Sequence, residues 1–141
     1  MINTDKDLRN AASKLDFAET LKDVEYLSHR YLNHPRFKYE VREVLLNDKT
    51  VGVLFFRRLF ANDRSCIRII DVIGAETCLK SAIGPLAQEM TANGDEYIDL
   101  MSWGLDSNQI KEAGFINCRE FADSVVPEYF SPFSQTTVER W

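Results

Sequence analysis

The chain has 141 residues, of which 45% are hydrophobic and 28% charged, and its formal net charge at pH 7 is −5. This length suits one domain with a real hydrophobic core and excludes two domains of ordinary size, so we expect a single domain over residues 1–141. The acidic balance argues against a nucleic-acid-binding protein, which would concentrate Lys and Arg on one face. The basic pair Arg57-Arg58 lies in a predicted strand, where neighbouring side chains point to opposite faces.

The cysteines and the N-terminal segment indicate the compartment. Three cysteines, Cys66, Cys78 and Cys118, are widely spaced and form no CxxC motif. This odd number favours reduced thiols over a disulfide framework or a metal site. The first residues lack the apolar stretch of a signal peptide, and no apolar run approaches the about 20 residues of a membrane span. We therefore expect a cytoplasmic protein with no membrane span and no bound metal.

Two helices are predicted at the start of the chain. Residues 5–15 form a short polar helix with Thr4 as its cap. In residues 16–32 apolar side chains recur at helical spacing. This second helix is expected to stop at Asn33-His34-Pro35, because the residue before a proline avoids helical angles.

A meander of three strands follows, over residues 39–46, 50–60 and 66–73, with turns at residues 47–49 and 62–64. The middle strand is apolar on both faces, which predicts a central position covered on both sides. Its two predicted faces carry Val51, Val53 and Phe55 on one side and Leu54, Phe56 and Phe60 on the other.

The second half of the chain is predicted to contain a crossover, in which a helix connects two parallel strands. Residues 75–93 have the apolar stripe of an amphipathic helix, which Gly84-Pro85 should kink or split and Gly94 should end. Residues 96–103 form the next strand, parallel to the third through a right-handed crossover. A short helix over residues 106–113 stops at Gly114, and extended structure follows to residue 127. The predicted fold class is α+β (α/β-like), a mixed sheet with helices on both faces and a V-shaped gap between its parallel strands.

This order of elements resembles the GNAT (N-acetyltransferase) superfamily, whose short terminal helix ends in a step like Ala113-Gly114-Phe115. Several segments resemble GNAT-like domains of surface-polysaccharide or lipopolysaccharide biosynthesis proteins: RYLNHPRFKYEV (30–41), RIIDVIG (68–74), YIDLMSWG (97–104), EAGF (112–115) and VPEYFSPF (126–133). The resemblance implies transfer of an acyl group from acetyl-CoA or another acyl-CoA to an amino sugar, including a nucleotide-linked one. The implied binding partner is either this small-molecule substrate or another protein domain.

The sequence departs from that family in two places. Where the family has a glycine-rich phosphate loop, the segment Gly74-Ala75-Glu76-Thr77-Cys78-Leu79 offers one glycine and a carboxylate. The family's first strand is missing, since only Met1-Ile2-Asn3 precede the helices. The strand over residues 39–46 would then be an uncovered edge that invites pairing, in a homodimer or with another domain. The missing glycine loop favours an alternative, a non-catalytic partner-binding or oligomerisation domain without CoA binding, and a small-ligand sensor is a third hypothesis. The two departures also suggest that the chain is the C-terminal half of a larger protein.

Asp71 and Asp99 are the candidate catalytic bases. Each lies among apolar residues in a predicted buried strand, where a carboxylate is unfavourable unless it is paired or used. Burial would raise the pKa of such a carboxyl and suit it to accept the amine proton. The alternative is a salt bridge to Arg68, Arg57 or Arg30. The resemblance adds Tyr129 as the donor that protonates the leaving thiolate, with aromatic packing as its alternative.

The remaining candidates concern binding. The resemblance places the cofactor along Val72, Ile73 and Gly74, with a backbone N–H of the third strand polarising the thioester carbonyl. His34, Arg68 and Trp103 are the candidate substrate-binding residues. A role in the turn is the alternative for His34, and core packing is the alternative for Trp103.

Overall fold

A computed structural model describes residues 1–15, 23–100 and 104–120 of the chain. Residues 16–22, the first part of the predicted second helix, lie outside the described residues. So do Trp103, Tyr129 and the extended segment predicted after residue 120.

One mixed sheet of four strands, in the order β1-β2-β3-β4, organises the fold. Strands β1 (Glu40–Leu46), β2 (Lys49–Ala61) and β3 (Arg64–Gly74) are antiparallel neighbours, and β4 (Ile98–Leu100) runs parallel to β3. The two hairpins turn at Asn47-Asp48 and Asn62-Asp63, and all four of these residues have positive φ. Such turns match the right-handed twist of the strands, and Asn and Asp tolerate them best after glycine. The predicted meander and the parallel crossover are confirmed.

The helices confirm most of the predicted signals. Helix α1 (Asp5–Ala12) begins with a capping box in which the Thr4 side chain and Asp7 satisfy each other's backbone N–H groups. Helix α2 (Val24–Leu27) continues as a π-helical turn (Ser28–Leu32), while α4 (Ser107–Glu112) is followed by a 3₁₀ turn (Cys118–Glu120). Helix α3 (Cys78–Asn93) runs through Pro85 as one element, so of the two predicted outcomes, a kink or a split, the split is wrong. Buried side chains on both sides of Pro85, from Leu79 to Leu86, hold the helix on the sheet across the lost hydrogen bond.

Each face of the sheet carries one core cluster. The α1/α2 face packs Leu8, Leu27 and Tyr31 against β1, β2 and β3. The α3 face packs Leu79, Ala82 and Leu86 of α3 and Ala113 beyond α4 against the same strands. The prediction of helices on both faces is therefore confirmed.

Two β-bulges set the faces on which side chains lie. Val51 of β2 has no partner between the pairs Val44↔Gly52 and Leu45↔Thr50, and it packs on the α3 face instead of the predicted one. An extra residue in one strand reverses the alternation of its neighbours, which explains this difference. In β3 the extra residue is Ile70, between the pairs Phe55↔Asp71 and Phe56↔Ile69. The prediction for Phe60 is also wrong: it is 74% exposed, because it lies beside the hairpin turn beyond both clusters.

An ion-pair network fastens α3 to the sheet. Arg42 of β1 and Arg58 of β2 both donate hydrogen bonds to Glu89 of α3. Arg58 also donates to the buried carboxylate of Asp95, at 3.1 Å. The hydrogen bonds from Arg42, followed by those from Arg58, lower the pKa of Glu89 to about 2 although burial opposes the shift. The network holds the C-terminal half of α3 on the sheet.

In place of the family's first strand, which the sequence was predicted to lack, the structure has a single β-bridge. The Ile2 N–H donates to the Val41 carbonyl at 2.8 Å, and this pair is an isolated antiparallel bridge. No strand precedes α1 in the described ranges, and β1 is an edge of the described sheet. Two large apolar side chains near the end of that edge, Leu45 and Leu46, are 54% and 41% exposed.

Candidate active site

The end of β3 forms the first part of the candidate site. Among the described residues, the β3–β4 pairs run from Ile67↔Ile98 to Ile69↔Leu100, and β3 itself continues through residues 70–74. Three predicted cofactor-binding residues lie on this continuation. Val72 packs on the α3 face, Ile73 is buried on the α1/α2 face, and Gly74 is exposed with a φ of 131°.

The N-terminus of α3 follows at once. The N-cap Thr77 makes no side-chain capping bond, and the Leu79 and Lys80 N–H groups have no hydrogen-bond partner among the residues that the structure describes. Free N–H groups and the helix dipole suit an anion. The glycine of this loop serves the sheet, because a Cβ on Gly74 would lie 2.3 Å from the Val51 carbonyl oxygen. The residues thus fit an anionic group of a cofactor through the first helical turn, and exposed Glu76 is the unfavourable charge beside it.

Asp71 projects from the bulge in β3. Its Oδ2 accepts a hydrogen bond from the Tyr31 hydroxyl at 2.8 Å, and its Oδ1 accepts one from the Val72 N–H at 3.0 Å. The Tyr31 ring stacks at 4.3 Å on Phe55, the cross-strand partner of Asp71. Burial, followed by the nearby Asp71 charge, raises the pKa of Tyr31. Tyr31 therefore stays a proton donor that fixes the Asp71 carboxylate, and the carboxylate can act as a proton acceptor.

Asp99 and Arg68 lie opposite each other in the parallel pair of strands and form an ion pair. The Arg68 Nε lies 2.9 and 3.1 Å from the two carboxylate oxygens of Asp99, and Nη2 donates to one of them as well. Arg68 is 0% exposed and the Asp99 side chain 18%. This arrangement favours the salt-bridge interpretation of Asp99 over the general-base one, and it engages the guanidinium predicted to bind substrate.

His34 organises the loop between α2 and β1. Its Nδ1 accepts hydrogen bonds from the Arg36 and Phe37 N–H groups, at 3.1 and 3.0 Å. Its ring stacks on Phe37 with centroids 5.2 Å apart and meets the Tyr39 ring edge-on at 5.5 Å. These contacts favour the turn role over substrate binding. Trp103 and Tyr129 are not among the described residues. The other predicted catalytic and substrate-binding residues, Asp71, Arg68, Asp99 and His34, lie on one side of the sheet.

Arg57 is a buried cation that the sequence analysis did not select. It is 9% exposed, and its guanidinium lies 4.1 Å from the centre of the Phe37 ring and 5.7 Å from that of Tyr39. Arg58 points to α3, so the expectation that the basic pair divides between the two faces is confirmed. Alternation in β2 already placed Arg57 on the face of Val53 and Phe55, which was the available signal.

Comparisons with known proteins identify the fold. No family model matches the chain, and no curated protein matches it. Several solved structures resemble it over most of its length, among them the following three. One is an aminoglycoside acetyltransferase from an uncultured soil metagenomic sample, in complex with sisomicin (22% identity, TM-score 0.51, covering 78% of this chain and 80% of that one). The second is a ribosomal-protein-alanine N-acetyltransferase from Brucella melitensis (15% identity, TM-score 0.52, 74% and 82% covered). The third is an acetyltransferase from Trypanosoma brucei (16% identity, TM-score 0.55, 81% and 89% covered).

These likenesses show that the chain has the GNAT acetyltransferase fold, and they confirm the predicted α+β class. At this level of identity they establish the fold and leave the activity to be tested. In the described ranges, no helix has the length and apolar character needed to cross a membrane.

Proposed function

We propose that this chain transfers an acyl group from an acyl-CoA to an amine. The observation that carries the proposal is the position of Asp71. It projects from a bulge in β3, just before the strand end that leads into a helix N-terminus without a side-chain cap. An anionic proton acceptor and an anion-binding helix end thus flank the main chain against which a thioester arm can lie, in a fold shared with acetyltransferases.

The donor site would be built from main-chain groups. Val72, Ile73 and Gly74 line the arm, and the free N–H groups of Leu79 and Lys80 lie where a pyrophosphate would bind. When bound, the cofactor supplies the acyl group as a thioester and accepts the electron pair as a leaving thiolate. A backbone N–H of β3 polarises the carbonyl by a hydrogen bond.

Asp71 is the proposed base. It accepts a proton from the amine as the new C–N bond forms, while Tyr31 and the Val72 N–H hold its carboxylate in place. Because both donors are part of the folded chain, little reorganisation is needed at the moment of transfer. Tyr129 remains the proposed donor to the leaving thiolate.

The acceptor is proposed to be an amino sugar, including a nucleotide-linked one, in the assembly of a surface polysaccharide. The segment resemblances described above support this class. The solved neighbours act on different acceptors by their names, an aminoglycoside in one case and a ribosomal protein in another. Trp103 is the proposed contact for the sugar, while His34 orders the loop between α2 and β1.

Calorimetric titration with acetyl-CoA, followed by a thiol-release assay with amino sugars and an N-terminal alanine peptide, tests the proposal. Asp71→Asn should retain acetyl-CoA affinity and lose about 100-fold or more in turnover, which is the usual range for a general base. Asp63→Asn, in the exposed hairpin turn, is the matched control and should behave as the parent chain. Unchanged turnover in Asp71→Asn would rule out Asp71 as the base.

A second function follows from the open edge of β1. If the folded chain binds no acetyl-CoA at millimolar concentration, the better interpretation is a non-catalytic domain that pairs with a second copy through this edge. The exposed Leu45 and Leu46 favour that surface. Leu45→Lys should then lower the molar mass measured by light scattering from a dimer to a monomer, and an unchanged mass would eliminate the edge.

A further inference from the structure

We propose that Arg57 binds an anionic group, a carboxylate or a phosphate, on the acyl acceptor. Naming the acceptor as the ligand rests on the proposed function, whereas the anion site itself rests on the geometry of Arg57. Its residue surface is 9% exposed, and its contacts within the described part of the chain are the faces of Phe37 and Tyr39. No carboxylate of that part pairs with it.

The other buried or half-buried arginines differ in this respect. Arg42 and Arg58 share Glu89, and Arg68 pairs with Asp99. A guanidinium removed from water without a counter-charge is unfavourable, and an arriving anion would remove that penalty. The guanidinium of Arg57 is still accessible to a ligand. In the described residues, the side-chain atoms that are both buried from solvent and unpaired are Arg42 Nε and Asp95 Oδ1, and none belongs to Arg57.

The aromatic contacts leave the binding edge of Arg57 available. Cζ of Arg57 lies 4.1 Å from the centre of the Phe37 ring, and a cation–π contact of this kind uses none of the N–H donors in a hydrogen bond. The planar guanidinium fork matches the paired oxygens of a carboxylate or phosphate. Two more arginines lie near this aromatic group, Arg36 at 5.9 Å from Phe37 and Arg30 at 5.7 Å from Tyr31, whose ring meets that of Tyr39 edge-on at 5.1 Å. In a chain of net charge −5, this local excess of cations attracts an anion.

Arg57 lies close enough to Asp71, the proposed base, for one small molecule to contact both. It pairs across the strands with Arg68, while Phe55, two residues before it, pairs with Asp71 on the same face. Diagonal neighbours of this kind have their β-carbons about 7–8 Å apart. One acceptor can therefore place its amine at Asp71 and its anionic group at Arg57.

The cofactor's phosphates are a less fitting source of the anion. Arg57 lies beside Arg68, its cross-strand partner in β3, whereas the helix end proposed for the pyrophosphate begins beyond Gly74, six residues further along the chain. Six residues of extended strand span about 20 Å. Arg57 also lies on the α1/α2 face, opposite α3. The geometry thus assigns its anion to the acceptor.

Titration with inorganic phosphate, followed by NMR or calorimetry, tests the site without cofactor. Phosphate should bind the parent chain and the control Arg64→Gln, whose arginine is exposed on the same hairpin. It should bind Arg57→Gln about ten-fold or more weakly, as the loss of a charge-assisted hydrogen bond predicts. Arg57→Lys keeps the charge without the fork and should lie between them. It also keeps the test decisive if Arg57→Gln does not fold. Equal affinity in all variants would overturn the proposal.

Two further measurements separate the possible sources and the two proposals. A non-reactive CoA analogue at saturation should leave phosphate binding at Arg57 intact, and displacement by the analogue would overturn the assignment to the acceptor. A glucosamine phosphate should bind more tightly than glucosamine in the parent chain, and this difference should vanish in Arg57→Gln. If phosphate binding depends on Arg57 but acetyl-CoA does not bind, the anion site stands and acyl transfer falls.

Discussion

Replacing Asp99 by leucine should destabilise the chain strongly, because it removes the carboxylate that pairs with the buried charge of Arg68. Arg68 is 0% exposed, and Asp99 accepts from its Nε at 2.9 and 3.1 Å. Breaking a buried ion pair by removing one partner costs about 3–5 kcal/mol. For a domain of this size each kcal/mol lowers the Tm by about 3–4 °C, so the expected loss is about 10–20 °C.

The double variant Arg68→Met/Asp99→Leu separates the free energy of the ion pair from the other effects of each substitution. It removes both charges at similar volume, and such replacements are often neutral or stabilising. We expect it to be more stable than Asp99→Leu alone, with a coupling free energy of about 2 kcal/mol or more between the two sites. Arg68→Met alone should cost less than Asp99→Leu, because the Asp99 side chain is 18% exposed and can be hydrated.

Urea unfolding followed by circular dichroism gives the four free energies of this cycle. A cost below about 1 kcal/mol for Asp99→Leu would refute the reasoning, since exposed pairs have that value. So would a double variant no more stable than the sum of the single changes. Either result would reopen the general-base interpretation of Asp99, because its carboxylate would then not be required by Arg68.

Two other predictions concern the packing of α3. Glu89→Gln should lower the unfolding free energy by about 1–2 kcal/mol at pH 7, a value reduced for partial exposure. The pKa of Glu89 is lowered from 4.5 to about 2, so its contribution is complete above pH 4.5 and lost as the pH falls toward 2. The difference between the urea midpoints of the parent chain and the variant should therefore shrink as the pH is lowered from 5 to 2, measured in about four buffers. A difference that stays constant over this range would contradict the prediction. Gly52→Ala should destabilise by about 1–3 kcal/mol, because its Cβ would lie 2.2 Å from the Cys78 Sγ and 2.5 Å from the Ile73 carbonyl oxygen. Gly84→Ala meets no atom within 4 Å and should stabilise the helix, by about 0.5–1 kcal/mol, so equal thermal shifts for the two would be inconsistent with this packing.

The order of elements was predictable because each signal is local. The Asn-Asp turns, the Thr4 cap and the glycine after α3 act on their own neighbours, and the structure has all of them. The faces of the strands were less predictable, since a sequence read with strict alternation contains no sign of a bulge. Val51 was therefore assigned to the wrong face.

Pairing between charged residues was the least predictable part of the site. Asp99 had three candidate partners in the sequence, and the choice of Arg68 depends on the register between two strands joined by a long crossover. That register is set by helix packing and not by either strand alone. Once Arg68 is neutralised by Asp99, its cross-strand neighbour Arg57 is a buried cation with no carboxylate partner in the described part of the chain. No pattern within β2 carries this information.

The bulge at Ile70 is the feature on which the proposed chemistry depends. Strict alternation after Arg68 would turn Asp71 toward the α3 face, among the side chains of Leu54 and Ile69. The extra residue turns it instead to the α1/α2 face, where Tyr31 donates to it. Arg57 lies on that same face, so one inserted residue brings a proton acceptor and an unpaired guanidinium within reach of a single ligand.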